Sequence, residues 1–202
     1  NGADAAGLID ITDLTITQAG SAAFAGRVQI NDLITAADGY TLSLTGDANT
    51  FVAAIDILST GKVTIGSADS DSSTFNGGLT LVNGDPALDV RGAINSSADA
   101  INFGTGTVTL LGDTTVATNA GGLASAAGSS ITFGGAITGA FDLALNAGTG
   151  GAIASNGADA AGLIDITDLT ITQAGSAAFA GRVQINDLIT AADGYTLSLT
   201  GD

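Results

Sequence analysis

Residues 1–47, from NGADAAGLIDITDLTITQAG through YTLSLTGD, recur letter for letter at 156–202, displaced by 155 positions. A duplication this exact restricts the fold. Two copies packed into one globule meet different neighbours and drift apart, whereas copies stacked in a quasi-one-dimensional array meet equivalent ones. Residues 1–155 therefore read as one unit of a tandem array, and 156–202 as the start of the next, identical unit.

Inside the unit, short alternating segments end in glycine: LTITQAG at Gly20, YTLSLTG at Gly46, KVTIG at Gly66, LTLVNG at Gly84, TVTLLG at Gly112 and LALNAG at Gly148, with LTITQAG again at Gly175. Each has the period-two pattern of a half-buried strand. A second strand follows most of them, and these carry Phe24, Phe51, Phe75, Phe103 and Phe133. Pieces of about 26 residues cannot bury a hydrophobic face alone, and repeats of that size stack as solenoids. The expected fold is all-β, a parallel β-helix with about six coils per 155-residue unit and the phenylalanines in one stack; an antiparallel sandwich is the competing architecture. Alternation places Val28, Ile30, Leu42, Leu44, Phe51, Ala53, Ile55, Ile57, Val63, Ile65, Leu79, Leu81, Val108, Leu110, Leu143 and Leu145 inside, with Asp56 outside. At about 4.8 Å per coil, residues 156–202 should superpose on 1–47 by a translation of about 29 Å and a modest rotation.

Composition agrees with strands. All 20 acidic residues are Asp, which favours turns over helices, and 30 Gly stand against a single Pro. The unit carries fourteen Asp against Arg27, Lys62 and Arg91, a net charge of −11. A polyanion of this kind repels phosphate and anionic lipid, so nucleic-acid binding and membrane insertion are not expected. The chain has neither Cys nor His, which removes disulfides, thiolate metal sites and the commonest general base.

The segments DLALNAGTGGAI, ITFGGAITG and LTITQAG resemble the repetitive stalks of very large bacterial surface proteins of the filamentous-haemagglutinin and autotransporter-adhesin type. The resemblance implies a right-handed β-helix, an extracellular or cell-surface location, and a part in adhesion, biofilm or fibres. The expected partners are further copies of the unit, with cell-surface or matrix glycans in addition.

No catalytic residue and no cofactor are expected. Asp69 and Asp71 in GSADSDSST are the closest carboxylate pair, with Asp10 and Asp13 next. Two residues apart in an extended strand, Asp69 and Asp71 would face one side and share a cation, so they are the calcium candidates, although two carboxylates fall short of the roughly six to eight oxygens calcium takes. Arg27, Lys62, Arg91 and Arg182 are isolated and are expected to pair with Asp on neighbouring coils. The Gly-Asp steps at Gly46–Asp47, Gly84–Asp85, Gly112–Asp113 and Gly201–Asp202 read as corners, with glycine supplying a positive φ. The functional reading is a structural segment of an extracellular fibre or adhesin stalk. The alternatives are a carbohydrate-active β-helix enzyme, which would show a carboxylate groove containing Arg91 or Lys62, and a calcium-dependent adhesion module.

Overall fold

The computed structural model describes residues 7–82, 86–120, 126–191 and 194–201. The described chain winds as a β-solenoid whose regular elements are strands, all paired in parallel apart from one antiparallel bridge between Ser97 and Asn119. Three faces build each turn, and inward residues stack on each face as a ladder. On the first face Ala22, Leu42, Val63, Leu88, Val108, Ile137, Ile164 and Val183 follow one another, eight rungs spaced 19 to 29 residues apart. The second face carries Asn49, Ser73, Ile94, Val116, Leu145 and Ile171 in register. The third carries Ile55, Leu79, Ile101, Ile131, Ile153, Ala177 and Leu197.

This is why the glycine-ended segments recur at uneven intervals. They do not mark equivalent places: Val63–Ile65 ahead of Gly66 lies on the first face, whereas Leu143–Asn146 ahead of Gly148 lies on the second. A turn therefore holds three strands rather than two. The phenylalanines are likewise not one stack. Phe24 stands in line with Leu44 on the first face, Phe51 and Phe75 stack on the second with centroids 4.8 Å apart, and Phe103 and Phe133 stack at 4.8 Å on the third.

The interior is one continuous cluster of mostly Ile, Leu, Val and Phe. Branched aliphatics fit because strands stacked about 4.8 Å apart bring like side chains into van der Waals contact. Every residue assigned to the interior from alternation is buried except Ala53, which is half-buried because the chain bends there from the second face to the third. The duplicated sequence supplies an internal control for stacking. Leu42 and Leu44 are 0% exposed beneath Val63–Ile65, while their copies Leu197 and Leu199, with no covering strand among the described residues, are 37% and 54% exposed. A covering coil thus takes about a third to a half of each leucine's surface out of water, a corresponding part of the roughly 1.5–3 kcal/mol that full burial of such a side chain is worth.

Within each copy the pairing is the same: Ile9 pairs with Val28 as Ile164 does with Val183, and Leu14 with Leu33 as Leu169 does with Leu188. The copies nevertheless occupy different faces. Ala22 opens the first-face ladder, Ile164 stands six rungs on and Val183 seven, and Ala177, the copy of Ala22, falls between them on the third face. A 155-residue unit therefore spans six full turns and two further faces, twenty strand positions in all. The expected superposition by near-pure translation is corrected: the copies are related by an advance of about 32 Å and are a third of a turn out of phase, because twenty positions do not divide by three.

Candidate functional site

Charge concentrates where the first face turns into the second. Coil by coil this corner carries Arg27, Asp47, Asp69, Arg91, Asp113, Asp142, Asp168 and Asp187. Arg91, Asp113, Asp142, Asp168 and Asp187 fall in one register line at the inter-strand spacing, whereas Arg27, Asp47 and Asp69 sit at the same corner but out of that register.

The upper half of this corner is neutralised. Arg27 Nε lies 3.6 Å from Asp47 Oδ1, and Arg91 Nε donates to Asp69 Oδ1 at 2.8 Å while its Nη1 donates to the Ser67 carbonyl at 3.1 Å. The Arg91 hydrogen bond holds the Asp69 carboxyl below its ordinary range, and the same bond raises the Arg91 guanidinium. Lys62 pairs with Asp89 at 2.5 Å on the first face. Three of the four cations thus pair with Asp on a neighbouring coil, as expected. The copy of the Arg27–Asp47 pair, Arg182–Asp202, ends at a residue outside those described.

Asp69 and Asp71, the calcium candidates, make different contacts. They lie in a turn between strands, not in an extended segment, so the same-side rule fails. Asp71 is buried and its Oδ2 accepts from Ser67 N–H at 2.8 Å, Ser67 Oγ–H at 2.9 Å and Ala68 N–H at 2.9 Å, tying the turn, whereas exposed Asp69 reaches out to Arg91. No group of three or more metal-ligating side chains occurs among the described residues. Asp10 and Asp13 do not converge on a site: Asp13 accepts from Asn31 Nδ2 at 3.2 Å on the next coil.

Below Arg91, whose charge also acts on Asp113, the line is made of carboxylates alone. Asp142 N–H donates to Asp113 Oδ1 at 3.2 Å, Asp142 precedes Leu143, which pairs with Leu169, and Asp168 pairs directly with Asp187. Asp113, Asp142, Asp168 and Asp187 form four carboxylates on successive coils, with no ion pair among the described residues. Sequence reasoning missed this row because it needs the coil register; the readable signal was an Asp placed directly ahead of a strand.

The described Gly-Asp steps also have a different cause from the one expected. Neither Gly46 nor Gly112 has a positive φ. A Cβ on Gly46 would strike the Gly26 carbonyl of the coil above, and one on Gly112 would strike Arg91 Nε and Asp69 Oδ1. Glycine is there so that stacked corners, and the ion pair lying over them, fit. Asp85 and Asp202 lie outside the described residues.

A groove of about 490 Å³ runs along the outer side of the third face, over Thr80, Asn102 and Thr132 and beside Pro86 and Asn156. Its described lining holds no titratable side chain, and neither Arg91 nor Lys62. Comparison of the chain with protein-family models, curated proteins and solved structures gave no match.

Proposed function

We propose that the chain is a segment of an extracellular or cell-surface fibre or adhesin stalk that works by length, stiffness and charge. One observation carries this reading: strand pairing continues from one unit into the next, with register shifts between Ser155, Asp159 and Ile164 where the strand Ala152–Asp165 crosses the seam. Ile131–Phe133, Ile137–Thr138 and Leu143–Asn146 of the first unit pair with strands that reach into the second, through Ile153, Ile164 and Leu169. A unit joined this way extends the same core rather than adding a separate domain. The excess of carboxylates keeps such rods soluble and apart. An enzyme reading draws no support from a groove whose described lining holds neither acid nor cation, and a calcium-module reading none from two carboxylates committed to Arg91 and to the Ser67–Ala68 turn.

The test is length. Proteins of two, three and four tandem units should form rods that lengthen by about 32 Å per unit at constant cross-section, measured by small-angle scattering and negative-stain microscopy. A radius of gyration that grows as for separate globules on a string, or a compact particle, would overturn the reading.

A further inference from the structure

We infer that a tandem array of this unit presents each of its surfaces on three sides in rotation, so that a partner binding several units winds around the fibre instead of lying along it. The inference rests on the array reading above and deepens it. Its basis is the phase of the seam: the identical Arg27 and Arg182 stand at different corners, the first between the first and second faces, the second between the third and the first. Phe24 lines up with Leu44 on the first face, while its copy Phe179 pairs with Ser155 on the third. Each seam repeats the same step, so a given patch returns to the same side only after three units, 465 residues and twenty turns, or about 96 Å along the axis. Two parallel fibres can match such a patch only at every third unit. A multivalent partner meets one patch per unit only by following a helical path.

The seam can be read by disulfide capture in the chain as it stands, because it contains no cysteine. Outward residues paired across adjacent parallel strands lie at about 4.8 Å, inside the Cα window for a disulfide. With the offset, Asp165 is the neighbour of Thr138 on the first face. With a whole number of turns, Asp165 would take the place that its counterpart Asp10 has on the second face, in line with Gln29, Thr50, Thr74 and Asn95, and would meet Asn146. Thr138→Cys with Asp165→Cys should close on mild oxidation as fully as a control pair within the first unit, Ser43→Cys with Thr64→Cys, and Asn146→Cys with Asp165→Cys should stay open. Closure of the Asn146 pair instead would overturn the offset. If the control closes and neither seam pair does, the offset is likewise overturned, and the array reading then stands or falls on the rod lengths alone.

Discussion

Ile55 and Asp56 are chain neighbours with opposite fates: Ile55 is 1% exposed on the third-face ladder, and Asp56 faces water. Ile55→Asp should cost several kcal/mol because it buries an unpaired carboxylate, whereas Asp56→Asn should cost about half a kcal/mol or less; equal shifts in denaturant midpoint would reject the register. Such parity was legible from alternation alone. Asp71 was not, because its side chain is set by a turn whose shape depends on Ser67 and Ala68 rather than on any period. Gly112 was legible as a corner but not for its reason, since the Arg91–Asp69 pair above it exists only once the coils are stacked. Gly112→Ala should expel that pair and return the Asp69 carboxyl toward its usual range, as Arg91→Gln should, both read by NMR titration. The sign follows from the depressed folded-state value: the pair contributes stability above the unfolded carboxylate range, near 3.9, and loses it as pH falls through the lower folded value. Either variant should therefore show a flatter acid limb than the parent.

At the scale of strands, alternation revealed which segments are extended but not how many make a turn. Pairs of strands separated by glycine look like a two-strand unit in one dimension, and the third face becomes visible only when Leu79–Leu81 is seen to pair with Ile101–Asn102 rather than with its chain neighbours. The phenylalanines mislead for the same reason, since regular spacing in the chain is compatible with three different ladders. One of these ladders has a flaw. Phe133, Ser155 and Phe179 follow one another, and the buried Ser155 hydroxyl has no hydrogen-bond partner among the described residues. Ser155→Ala should stabilise the chain by about 1 kcal/mol by removing an unsatisfied polar group, measured by urea unfolding. A loss of stability instead would mean that the hydroxyl has a partner in solution.

For the whole molecule, a net charge of −16 and four stacked carboxylates below Arg91 make repulsion the main electrostatic term. Monovalent salt should raise the melting temperature, because charges about one Debye length apart are screened at physiological ionic strength, and calcium should add little beyond its ionic strength. A saturable shift at micromolar calcium that sodium chloride fails to reproduce would return Asp69 and Asp71 to the role of calcium ligands. Charge and solenoid class were both open to reading in the sequence; the phase of the seam was not, because it depends on a count of faces. That fraction of a turn gives the number of units a meaning besides length. Identical neighbouring stretches of gene recombine readily, and every unit gained or lost in that way swings whatever is carried beyond it through a third of a revolution, so that lineages differing by one unit would point the far end of the fibre in different directions while differing in no residue of the unit itself.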